Sequence, residues 1–163
     1  MKRIGVFIDV QNIYFTTKDR YQQGGKINYE ALRNYIRANG DLATFCAFTC
    51  YDPVRRTQMD FISALGHMGY RVVSKPIKKL PDGTVKANMD LEMAMEVLNQ
   101  APFLDEVVLV TGDGDFVPLV NQLCANGKIV KVVGPDQNTA PELIHACNDF
   151  VNLHQIQGIL DVK

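Results

Sequence analysis

The sequence predicts an α/β fold: a three-layer α/β/α sandwich built on a mainly parallel sheet of five or six strands. Short runs rich in Val, Ile and Phe alternate with helical stretches of about a dozen residues, the rhythm of right-handed β-α-β crossovers. The first run, Ile4-Gly5-Val6-Phe7-Ile8, is apolar almost throughout, as suits a strand covered on both faces. The 163 residues and 47% hydrophobic content supply a core of the size one domain needs, so 1–163 is expected to form a single domain.

The elements come in order. Asn28 to Asn39 carries Tyr29, Leu32, Tyr35 and Ile36 at helical spacing, with Asn28 as a candidate N-cap and Gly40 as a stop. Leu42 to Tyr51 reads as a strand, Arg55 to Met68 as a helix ended by Gly69, and Tyr70 to Ile77 as a strand. Lys78 to Lys86 is a polar excursion around Pro81-Asp82-Gly83, expected as a hairpin tip or loop. A helix over Met89 to Ala101, a strand over Glu106 to Val110 and a helix over Phe116 to Asn126 come next. The strand Lys128 to Val133 precedes a short helix, Thr139 to Cys147, where Thr139 and Glu142 have capping-box spacing. Phe150 to Leu153 would be a last strand, before a helical segment around Ile156 and Leu160.

Composition excludes several classes. With 17 Lys+Arg against 18 Asp+Glu the net charge is −1, so bulk cationic attraction to nucleic acid is excluded and a local basic patch is not. The apolar run behind Lys2-Arg3 ends at Asp9, far short of a secretory or membrane-spanning core. No membrane association and a cytoplasmic location are therefore expected, with Cys46, Cys50, Cys124 and Cys147 as reduced thiols filling core or surface. The histidines, His67, His145 and His154, are isolated from the cysteines, against a Cys/His metal site. Gly112 and Gly114 start a G-x-G, but Val117 takes the third glycine position, and no Gly-Lys-Ser/Thr motif is present.

Ligands of parallel sheets bind at the carboxyl ends of the strands. Asp9, with Asn12 close behind, comes after the first strand, and Thr111-Gly112-Asp113-Gly114-Asp115 comes after the Glu106–Val110 strand. Asp90 opens the helix after the polar excursion. Each acid has an ordinary alternative: Asp9 as a turn former, Asp113 and Asp115 as helix caps, Asp90 as a first-turn acid. Glu92 and Glu96, one turn apart, read as a solvated face. If the aspartates converge, a hard divalent cation would neutralise them. Such a site suits hydrolysis of phosphate esters, because the cation acidifies water and stabilises developing charge.

Three segments resemble the NYN domain family, in its LabA-like branch, a group with a PIN-like, Rossmann-like nuclease fold. They are Val6-Phe7-Ile8-Asp9-Val10-Gln11-Asn12, Lys86-Ala87-Asn88-Met89-Asp90 and Thr111-Gly112-Asp113-Gly114-Asp115-Phe116, in family order between Ile4 and Leu153. The middle segment has Ala87 where the family often has glycine, which leaves the acid in place. The resemblance implies a metal-dependent endoribonuclease binding Mg²⁺ or Mn²⁺ in an acidic pocket of Asp9, Asp90, Asp113 and Asp115. It assigns Asn12 to orienting substrate or water, and Thr111 to the pocket rim.

An RNA partner, single-stranded by expectation, gives the basic residues a use. Arg71, Lys75, Lys78, Lys79 and Lys86 outnumber Asp82 and Asp90 in that stretch, and Arg55 and Arg56 lie after the second strand. Lys78, Lys79, Lys86 and Arg55 are the expected backbone contacts, since phosphate contacts position a strand without reading sequence. Tyr14 and Tyr51 could stack on bases or simply pack. Two alternatives remain open: a non-catalytic RNA-binding or protein-interaction module, and a metal-dependent phosphatase.

Overall fold

The apolar run at the start of the chain forms β1, Arg3–Asp9, and the rest of the molecule is arranged on either side of it. The computed structural model describes residues 1–20, 26–38 and 42–161. In chain order β1 is succeeded by α1 (Val10–Arg20), β2 (Lys26–Ile27), α2 (Tyr29–Arg37), β3 (Leu42–Tyr51), α3 (Arg56–His67) and β4 (Arg71–Pro76). A hairpin of β5 (Lys78–Lys79) and β6 (Val85–Lys86) leads into α4 (Asp90–Gln100) and β7 (Glu106–Val110). The chain ends with α5 (Val117–Ala125), β8 (Ile129–Gly134), α6 (Pro141–Ala146), β9 (Asp149–Asn152) and β10 (Leu160–Asp161).

The main sheet has six strands in the order β4-β3-β1-β7-β8-β9, every pair parallel. Helices cover both faces, so the fold is the three-layer, PIN-like α/β sandwich expected. Side-chain alternation divides the core in two. Ile4, Val6 and Ile8 face α1, α2 and α3, where Ile13, Leu32 and Leu65 are buried. Phe7 faces the other way, onto Met93 and Val97 of α4 and Leu119 and Leu123 of α5. Cys46 and Cys50 share that second face and, with Cys124 and Cys147, are free thiols.

Three local differences from the sequence expectation have physical causes. Val10–Arg20 is a helix that periodicity does not announce, because Tyr14 and Phe15 on its outer side mask the stripe of Val10, Ile13 and Thr17. The expected helix around Ile156 and Leu160 does not form. Gly158 has φ +77°, which breaks the helix, and Leu160 pairs with Ile27 in an antiparallel ribbon. The capping box at Thr139 is also absent: Pro141 occupies the first turn, Ala140 becomes the N-cap, and the Thr139 hydroxyl donates to the Pro135 carbonyl. Asn28 does cap α2, accepting from the Ala31 N–H at 2.9 Å, while the expected stop at Gly40 lies outside the described residues.

Gly5 is required where β1 meets the turn before β7. A Cβ there would collide with Leu104 Cδ1 and lie 2.9 Å from Phe7 Cε2. Gly5→Ala should therefore cost about 1–3 kcal/mol by overpacking. Urea unfolding should give a smaller cost for the same change in a Leu104→Ala background, and equal costs in both backgrounds would refute the contact.

Candidate metal centre at the sheet switch point

β1 and β7 are neighbours, but the chain leaves β1 toward β3 and leaves β7 toward β8. The sheet order therefore reverses between them, and a crevice opens at their carboxyl ends. Asp9 ends β1, and by alternation it points with Phe7 toward the α4 side. Asp90 is the first residue of α4, set by a hydrogen bond from its N–H to Asn88 Oδ1 at 2.7 Å and by buried Met89 and Met93. Asp113 lies in the turn after β7 and accepts from the Asp115 N–H at 2.9 Å.

One carboxylate oxygen from each of Asp9, Asp90 and Asp113 lies within 4.8 Å of the other two. Asp9 is buried and the other two are half-buried. A short relay fixes their spacing. The Thr111 hydroxyl donates to Asp9 Oδ2 at 3.0 Å and accepts from the Asp113 N–H at 3.1 Å. The Asn12 N–H donates to Asp9 Oδ1 at 3.4 Å, while its side-chain Oδ1 accepts from the Gly112 N–H at 2.8 Å. Thr111 is fully buried, so it ties the Asp9 carboxylate to the Asp113 backbone from behind and does not reach the rim the resemblance assigned to it.

Like charges held this close resist ionisation. Burial pushes the Asp9 carboxyl up, with Asp113 adding to the effect and hydrogen bonds from Thr111 and Asn12 opposing it. Asp90 is pushed up to about 7, first by burial, then by its hydrogen bond to Asp113 and that group's charge, then by Asp9 and Asp115. The three oxygens form a hard, anionic donor set that fits a divalent cation such as Mg²⁺ or Mn²⁺. Asp115 is exposed and stands outside this group of three, although its charge reaches Asp90. A groove of about 380 Å³ between α4 and α5 is lined by Asp90 and Asp115 together with Leu91, Ala94, Leu98 and Leu119.

The basic residues divide. Glu92 does not simply face solvent: its Oε1 accepts from Lys75 Nζ at 2.6 Å, and Glu96 accepts from Arg71. These pairs tie α4 to the edge strand β4 and occupy two of the cations counted toward an anionic partner. Lys79 and Arg55 each lie 3.9 Å from the carboxylate of Asp52. Lys78 and Lys86 face each other across the β5–β6 ladder, both exposed and without an ion-pair partner among the described residues. Tyr14 and Phe15 are both exposed, although the sequence singles out only Tyr14. The signal for Phe15 is its place on the face opposite Ile13, which becomes readable once α1 is recognised.

Fold and site together define an α/β domain of PIN-like architecture that gathers carboxylates at its topological switch point. The chain belongs to the NYN domain family, whose model matches residues 3–154. It is 27% identical to the low amplitude and bright protein LabA of Synechococcus elongatus, over 98% of this chain and 88% of that protein. A crystal structure of a protein of unknown function, VPA0982 from Vibrio parahaemolyticus, superposes with a TM-score of 0.86 at 28% identity, covering 98% of this chain and 96% of that one. Among the described residues, no helix is long and apolar enough to cross a membrane.

The raised Asp90 pKa has a definite sign in stability. A carboxyl that holds its proton more tightly when folded adds stability at pH below its unfolded value near 3.8, and this is lost as pH rises through about 7. In EDTA, the Tm of Asp90→Asn relative to the parent should climb between pH 4.5 and 8, at about 2–4 °C per kcal/mol relieved. Mn²⁺ at pH 8 should raise the parent's Tm more than the variant's. A Tm difference that stays flat with pH would show that Asp90 does not feel its neighbours.

Proposed function

We propose that this chain is a one-domain, metal-dependent ribonuclease that hydrolyses phosphodiester bonds of single-stranded RNA, with Mg²⁺ or Mn²⁺ at Asp9, Asp90 and Asp113. The observation that carries the reading is the approach of three carboxylate oxygens to within 4.8 Å at the switch point of an NYN domain. Such a cluster is destabilising without a cation and favourable with one. When bound, the cation would supply positive charge against the phosphate oxygens as the pentavalent transition state develops.

The chain's own residues have separable tasks. Asp9, Asp90 and Asp113 hold the cation, and Thr111 and Asn12 fix the distance between the ends of β1 and β7. Asp115, exposed beside Asp90 in the groove, would accept the proton of the attacking water. Lys78 and Lys86 form a like-charged cross-strand pair, an arrangement that disfavours the ladder unless an anion bridges it. A phosphate of the RNA backbone is such an anion, and the hairpin runs directly into Asp90.

Incubation of labelled single-stranded RNA with Mg²⁺, Mn²⁺ or EDTA tests the reading. Cleavage should need the metal. Changes to residues that only orient metal ligands commonly cost about 10–100-fold, so Asp9→Asn and Asp113→Asn should each lose about 100-fold or more. Equal cleavage by the variants would trace the activity to a contaminant. Hydrolysis of a generic phosphomonoester in preference to RNA would assign the site to a phosphatase, and RNA binding without cleavage under any metal would assign a non-catalytic module.

A further inference from the structure

We infer that the outward face of α1 is a stacking platform for the bases of single-stranded RNA, with Tyr14 and Phe15 as the rings and Lys18 on the adjoining phosphate. The inference rests on the ribonuclease reading for its substrate class and adds where the strand lies.

The inner side of α1 is complete without these residues: Val10, Ile13 and Thr17 are buried against the sheet. Gln11, Tyr14, Phe15 and Lys18 have the i, i+3, i+4, i+7 spacing of the opposite face. Tyr14 and Phe15 are each 57% exposed, with ring centroids 5.4 Å apart and an interplanar angle of 71°. Aromatic rings this exposed add little to the core and offer π-surface to a ligand. Lys18 lies one turn beyond both rings, exposed and without an ion-pair partner among the described residues. Aromatic rings interleaved with a cation are the composition of a single-strand binding surface, where rings take bases and cations track the backbone. Lysine is depleted from protein–protein interfaces, so a cation beside the rings favours an anionic occupant. Among the described residues of α1, this face carries Gln11 and Lys18 beside the rings.

Position relative to the acidic centre supports the same occupant. α1 starts at Val10, immediately after Asp9, and Asn12 in its first turn holds Gly112. At about 1.5 Å rise per residue, Tyr14 and Phe15 lie only about 3–5 Å further along the axis than Asn12. A strand with one phosphate at the carboxylates that continued over the start of α1 would bring bases several nucleotides away over the rings. Stacking of this kind needs unpaired bases, so the platform selects single strands over duplex.

The sequence contains no Trp, so Phe15→Trp introduces one fluorophore at the platform. Its emission should be quenched on addition of oligoadenylate in EDTA and stay constant with an abasic ribose-phosphate oligomer. The double variant Tyr14→Ala/Phe15→Ala should bind oligoadenylate about tenfold more weakly or worse, and raise KM for RNA cleavage in Mn²⁺ by a similar factor with little change in kcat. Tyr14→Phe should keep the parent's affinity, and all variants should melt near the parent because the positions are exposed. Unchanged affinity and KM in the double variant, or unchanged Trp emission at saturating RNA, would overturn the platform and leave the ribonuclease reading intact. Loss of a dimer on sedimentation of the double variant would reassign the face to a second copy of the chain and overturn it too. Quenching and binding without cleavage under any metal would overturn the ribonuclease reading and leave the platform standing. No binding and no cleavage by the parent would remove both.

Discussion

Mutual repulsion among Asp9, Asp90 and Asp113 is the constraint around which this molecule is organised. The three come from a strand end, a helix start and a turn that are distant in sequence, and each is held by a different device. The parallel sheet supplies the first. β1 and β7 are in register from Ile4–Glu106 to Ile8–Val110, so the chain leaves both strands at the same level and Asp9 faces the turn at Thr111. The relay through the Thr111 hydroxyl then converts proximity into a fixed distance. Since both of its partners need it, Thr111 can be neither exposed nor mobile, and it is fully buried.

Asp90 depends on a longer chain of causes. α4 crosses beneath β1 with Met93 and Val97 in the core beside Phe7, which fixes the helix axis. Rotation about that axis is limited by the Lys75–Glu92 and Arg71–Glu96 pairs to β4. Exposed ion pairs of this kind add at most about 1 kcal/mol each, so their value here is orientation. The helix start is also the positive end of its dipole, a mild compensation for an acid surrounded by acids. Burial outweighs it, and the Asp90 carboxyl still rises to about 7.

Much of this is legible in the sequence because strands and their ends announce themselves locally. The Val6–Ile8 and Val107–Val110 runs are apolar on both faces, and the residues just past each run must stand at the carboxyl edge of the sheet. Asp9 and Asp113 can therefore be picked out from position alone. Asp90 is also picked out by its place at a helix start, but nothing in Met89-Asp90-Leu91 separates a site acid from an ordinary first-turn acid, and the family resemblance adds the weight. Partnership is the illegible part. Arg71 and Lys75 look like free cations in the sequence, and only the packing of α4 on β4 pairs them with Glu96 and Glu92. Thr111 reads as a rim hydroxyl until burial shows it behind the acids. α1 escapes the sequence because amphipathic periodicity fails when the solvent face carries aromatic rings.

That failure bears on how a nearly neutral protein would hold RNA. Glu92, Glu96 and Asp52 engage Lys75, Arg71, Lys79 and Arg55, four of the seven cations the sequence gathers from Arg55 to Lys86. Arg56, Lys78 and Lys86 remain there, with Lys18 on α1, and each phosphate contact contributes only about one unit to the salt dependence of binding. A strand held by so few charges would dissociate readily unless another interaction contributed. Base stacking is the complement that needs no net charge, since every base presents a π-face to a ring. On the proposed reading, the same aromatic rings that hide α1 from a periodicity search would supply what a chain of net charge −1 otherwise lacks.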